Sequence, residues 1–294
     1  MRITQRAVAL TSLQGLNSNL DALGKLQQQL TSGRMLSAPS DSPTGTNRAM
    51  QTRADQEAVA QYARNISDGQ SWLNQTDSTL QQMLDVTRKV RDLTVQGSNT
   101  GAMSDTARQA LATETASLRE SLLGLANTTV AGRPLFGGIT AGQQAYDSTT
   151  GAYLGLAGAE VSRRVSATES VRIDVNGPEA FGPAGADLFA VVGRIAGNLT
   201  ADPAALETDL ADLDALAQGM QSAVADIGAR SARIDREGQI NVDQDISLQT
   251  RLAEVENIDL PNTIMKLQMQ QTAYESALAA TAKAITPTLL DYLR

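Results

Sequence analysis

Near the amino end, apolar residues recur at alternating steps of three and four: Leu13, Leu16, Leu20, Leu23 and Leu30, with Gln27 as the polar member. That spacing places them in one row along an α-helix, the seam by which two helices wrap around each other. A strand, whose side chains change face at every residue, has no use for it. The row stops at residues 33–43, GRMLSAPSDSP. Gly33 can close a helix in the left-handed conformation, and Pro39 and Pro43 bias the residues before them toward extended or turn geometry.

The same spacing returns after the break. From about residue 44 to 96, Val59, Tyr62, Ile66, Gly69, Leu73, Thr76, Leu80, Met83, Thr87 and Val90 predict one helix, roughly 70–80 Å long at ~1.5 Å per residue. Ser104 predicts the cap of a third helix, with Leu111, Thr115, Leu118, Leu122 and Leu125 on its seam. Between residues 130 and 182 the pattern turns glycine-rich and alternates in twos. Residues 163–165 and 171–175 read as short strands there. Residues 187–199 read as a short helix. Asp202-Pro203 then predicts another helix start, followed by Leu206, Leu210, Leu213, Ala217, Met220, Val224, Ile227, Ser231 and Ile234. That phase passes through a polar middle, Gly238, Asn241 and Asp245, and recovers at Leu248, Leu252 and Val255. The middle is either a bend or a weakly packed contact. A last row, Leu260, Ile264, Leu267, Gln271, Tyr274 and Leu278, runs toward Leu289 and Leu290.

These patterns predict a mainly α fold: an elongated bundle of long coiled-coil-like helices formed by both chain ends, with a small β-rich insertion. Three regions are expected. Residues 1–43 and 258–294 form terminal helices, 44–129 and 183–257 a long-helix bundle, and 130–182 the insertion. Aromatics are only 3% of the chain against 41% hydrophobic residues, so small and aliphatic side chains are expected to carry the packing. Antiparallel pairing of the two ends is the simplest way to cover both leucine-rich seams. Stripes so narrow bury too little to order the terminal segments by themselves. Residues 1–40 and 260–294 are therefore expected to be poorly ordered in the free monomer and to become helical on assembly.

Catalytic chemistry has little to work with. The chain has no histidine and no cysteine, which removes the commonest general base, nucleophiles and transition-metal ligands. Asp243 with Asp245, and Glu254 with Glu256, are two residues apart on a predicted helix and point to different faces. No phosphate-binding or dinucleotide glycine motif occurs; residues 135–138, LFGG, read as a turn. Asn127-Thr128-Thr129 fits a glycosylation triplet, and Tyr62 and Trp72 read as core. Neither an enzyme nor a cofactor is expected. The net charge of −8 argues against nucleic acid as a partner. It is uneven: residues 1–40 hold four bases and one acid, +3, and residues 201–257 hold four bases and twelve acids, −8. The beginning, MRITQRAVALTSLQ, lacks the apolar core of a cleaved signal. No window is apolar enough to predict a membrane span.

Four stretches carry a resemblance: MRIT at the start, residues 26–49 (LQQQLTSGRMLSAPSDSPTGTNRA), GRPLFGG ahead of a β-rich insertion, and residues 255–294 (VENIDLPNTIMKLQMQQTAYESALAATAKAITPTLLDYLR). In combination they resemble the hook–filament junction proteins of bacterial flagella, the hook-associated protein 3 family of the flagellin superfamily. Asp41-Ser42-Pro43 departs mildly from the usual double acid before that proline. The resemblance implies terminal helices in an inner tube wall, with residues 33–43 as the link to an outer domain. It implies export through the flagellar type III apparatus and a cytoplasmic export chaperone on the carboxy-terminal region. The implied partners are further copies of the chain in a ring, the other hook–filament junction protein and flagellin, with no nucleic acid and no membrane. Leu13, Leu16, Leu20, Leu23, Leu30, Leu260, Ile264, Leu267, Tyr274, Leu278, Leu289 and Leu290 would carry self-assembly and partner packing, with Gln27 and Gln271 helping to set register. A flagellin filament subunit and a cytoplasmic coiled-coil scaffold are the alternatives.

Overall fold

The computed structural model describes residues 2–285, apart from 100–102, 141, 143, 157 and 159. Among the described residues seven helices hold most of the chain: α1 (Arg2–Ser32), α2 (Pro43–Ser98), α3 (Asp105–Ala126), α4 (Gly177–Phe181), α5 (Leu188–Ala201), α6 (Leu206–Glu256) and α7 (Leu260–Ile285). Four short strands form two antiparallel hairpins, β1 (Thr129–Val130) with β2 (Arg133–Pro134), and β3 (Ser162–Arg164) with β4 (Ser170–Arg172). The chain is mainly α, as the periodicity predicts.

Helix ends follow their caps. Gly33 leaves α1 at φ +69° while its amide donates to the Gln29 carbonyl. Ser42 and Pro43 start α2, and the Ser42 hydroxyl accepts from the Gly45 amide at 3.1 Å. Ser104 accepts from Ala107 at 3.3 Å, and Asp187 from Ala190 at 2.9 Å. Asp202 and Pro203 open a 3-10 turn that leads into α6.

The chain divides into two compact units, residues 59–244 and residues 1–58 with 245–294. The division falls inside α2 and α6 rather than at the breaks near 43 and 258. It coincides with the polar middle of α6. The helix runs unbroken there, and buried Asn241 donates its amide to the Val59 carbonyl of α2 at 3.0 Å.

Unit 59–244 holds a continuous core. Val59, Ile66, Leu73, Leu80, Met83 and Val90 of α2 are buried, as are Leu206, Leu213, Met220, Ile227 and Ile234 of α6. Trp72 lies in the same core, and α3 packs along α5. Gly69 permits close approach: an added Cβ would stand 3.0 Å from Ile234 and 3.1 Å from Ile173. Arg91 pairs with Asp214 at 2.7 Å across α2 and α6.

The insertion is not packed by aliphatics alone. All three phenylalanines, Phe136, Phe181 and Phe189, meet Tyr146 and Tyr153 in one cluster, with ring centroids 4.7–5.9 Å apart. Edge-on contacts of this kind add to what area burial contributes. Burial first, then nearby Asp187, pushes the Tyr146 hydroxyl far above its ordinary pKa. Leu135 and Phe136, read as a turn, are fully buried. Asn127 is a clamp rather than an open acceptor site. Its amide nitrogen donates to the Tyr146 carbonyl at 2.8 Å, and its oxygen accepts from the amides of Ala145 and Tyr146 at 2.9 and 2.8 Å.

Candidate assembly interface

The other unit is built around α1 and α7, which lie antiparallel. Gln270 donates to the carbonyl and side-chain oxygen of Asn19 at 3.3 and 3.2 Å, and Arg34 forms an antiparallel bridge with Asn257. Two structured breaks meet at that bridge. The Met35 amide donates to the Glu256 carbonyl at 2.7 Å, and Ile258 donates back to Gly33 at 3.2 Å. The Glu256 side chain, 10% exposed, accepts from Arg53 of α2 at 2.5 Å. Asp41 accepts from Lys25 at 2.7 Å and from the amides of Ser37 and Ala38 at 3.0 Å each. Asp259 caps α7 by accepting from the Asn262 amide at 3.2 Å. The stretch at residues 33–43 is thus a fastened crossing, not a slack tether.

The expected interface residues fall into three groups. Leu16, Leu23, Leu30, Leu267 and Tyr274 are half-buried. Leu13, Leu20, Leu260, Ile264 and Leu278 remain exposed, Leu13 and Leu20 at 50% and 49%. Leu289 and Leu290 lie outside the described residues. The half-buried face of α1 is Ser12, Leu16, Asn19, Leu23, Leu26 and Leu30, displaced to one side of the leucine ladder. One partner helix covers a single flank of a two-row seam, so Leu13 and Leu20 stay uncovered among the described residues. The polar pair across the helices is Asn19–Gln270, one residue away from the expected Gln271; both Gln27 and Gln271 face solvent. Among the described residues of this unit, Ala49 is the only apolar side chain that is fully buried.

Lys25, Asp41, Arg53 and Glu256 were not foreseen. Asp41 had a local signal, an acid in a serine- and proline-rich turn. Arg53 and Glu256 lie 203 residues apart, beyond the reach of any local pattern. Of the carboxylate pairs, Asp243 accepts from Gln239 and Asp245 from Gln249, and Glu256 belongs to the crossing. Among the described residues no acidic cluster could hold a metal, and no helix is long and apolar enough to cross a membrane.

Residues 3–141 match the family model described as the bacterial flagellin N-terminal helical region. Along 95% of its length the chain is 25% identical to flagellar hook-associated protein 3 of Escherichia coli, covering 96% of that relative. The Salmonella typhimurium protein of that name is 22% identical over 94% of the chain and 95% of its own length. The chain is thus similar to flagellins through its amino-terminal region and to hook-associated protein 3 along nearly its whole length. The match to a flagellin such as flagellin E of Vibrio cholerae, at 29% identity, spans 47% of the chain and 36% of that relative. The hook-associated relatives match nearly end to end. A solved hook-associated protein of Vibrio parahaemolyticus superposes with a TM-score of 0.66 at 18% identity, over 74% of the chain and all of its own. Hook-associated protein 3 of Legionella pneumophila does so with 0.61 at 15%, over 70% and 99%. These superpositions establish a shared fold. The relatives are structural flagellar proteins rather than enzymes, as the missing catalytic residues predict.

Proposed function

We propose that the chain is the subunit that joins hook to filament, standing in a ring of its own copies and templating flagellin assembly. One observation carries the reading. Leu13, Leu20, Leu260, Ile264 and Leu278 are uncovered within a chain whose end-to-end relatives are hook-associated proteins. Exposed apolar rows of this kind mark surfaces that other chains cover. Residues 1–43 and 258–294 would form the inner tube wall and complete their burial there. Residues 44–129 and 183–257 would form the outer bundle that carries the insertion at 130–182. Export would run through the flagellar type III apparatus. A cytoplasmic chaperone would hold the carboxy-terminal region before export, and the other junction protein would sit on the hook side.

Deleting the gene should leave hooks without filaments in electron micrographs, and the full chain should restore them. Normal filaments in the deletion strain would overturn the reading. The flagellin-like amino-terminal half favours a second reading, a filament subunit. Gold-labelled antibody separates the two: one band at the hook end for the junction protein, labelling along the filament for flagellin. A cytoplasmic scaffold would be missing from sheared flagella altogether.

A further inference from the structure

The fold divides the described methionines. Met83 and Met220 lie wholly inside the core of unit 59–244, and Met103 packs against it. Met35, Met50, Met265 and Met269 belong to the other unit, and all four are exposed. Met265 and Met269, one turn apart on α7, are 58% and 65% exposed and line a shallow groove with Gln268 and Thr272. They lie across the helix from the seam of Thr263, Leu267, Gln270 and Tyr274 that meets α1. An exposed thioether is readily oxidised, and this chain has no cysteine to react first.

We propose that Met265 and Met269 form an oxidation-sensitive site that governs whether the α7 face can be covered. The inference rests on the reading that residues 258–294 complete their burial among neighbouring copies. Peroxide is the oxidant. A sulfur lone pair forms an S–O bond to one peroxide oxygen and the O–O bond breaks. The second oxygen takes the proton of the first and leaves as water. Sulfur gives up two electrons and peroxide gains them. The fold of the single chain tolerates the product, because both groups face solvent. A covering subunit does not tolerate it, because the sulfoxide oxygen would be buried without a donor.

The test begins with the full chain in hydrogen peroxide, followed by peptide mass mapping. Met265 and Met269 should oxidise at least about tenfold faster than Met83 and Met220, with the circular dichroism spectrum unchanged. The second arm uses cells lacking the chromosomal copy. Met265→Leu/Met269→Leu should restore swimming and keep it after peroxide. Met265→Gln/Met269→Gln, whose amide oxygen imitates the sulfoxide, should leave bare hooks. Equal oxidation rates, a motile Gln variant, or a Leu variant as poor as the Gln variant would overturn the proposal. Filaments on cells that lack the chain would instead remove the junction reading itself, an outcome independent of the peptide map.

Discussion

Asp41 holds the crossing at residues 33–43 together because three donors converge on one carboxylate. The Lys25 ammonium above all, then the amides of Ala38 and Ser37, hold its pKa down at about 2. The turn binds the ionised form. Its contribution is therefore complete above the ordinary carboxylate range and is lost as pH falls through about 2. A carboxyl titration by NMR should show that midpoint in the native chain and a higher one in Lys25→Met. A second residue-level case is Thr115, whose buried hydroxyl has no partner among the described residues. Thr76, Thr87 and Thr94 return theirs to carbonyls one turn back at 2.8, 2.8 and 2.7 Å. Thr115→Val removes an unmade hydrogen bond and should raise stability by about 1 kcal/mol, read from a urea midpoint. Thr87→Val should lie close to neutral. The seam spacing located both threonines. Their different states of satisfaction depend on packing that no local pattern encodes.

At the level of elements, long helices were the most legible feature. Seam and caps together predict α2, α3 and α5 to within a few residues, because each signal lies inside its own element. Helix α4, the β1–β2 hairpin and the aromatic cluster were not readable. Tyr146 meets Phe189, and Phe136 meets Phe181, over sequence separations that periodicity does not span. The α1 ladder was legible as a helix but not in how it divides between α7 and solvent. That division yields a prediction. Leu20→Asp alters an exposed position, so the isolated chain should keep its stability within ~0.5 kcal/mol while swimming is lost. Leu267→Asp alters a half-buried one and should also lower stability. A Leu20→Asp strain that swims normally would remove Leu20 from the interface.

Taken whole, the chain distributes burial unequally. Unit 59–244 has a continuous apolar core, whereas the unit of both ends has one fully buried apolar side chain among its described residues. Regions with few buried contacts open at low free energy. Amides of α1 and α7 should therefore exchange with deuterium well before those of α2 residues 66–90 in dilute protein. Full protection of both helices would contradict the idea that their cover comes from neighbours. Trp72, the only tryptophan, sits inside the larger core, which makes the molecule its own optical instrument. Indole emission reports the melting of that core and is blind to the paired ends, while far-ultraviolet dichroism sees both. On heating, ellipticity should begin to fall before emission shifts, and the gap between the two curves measures how loosely the ends are held.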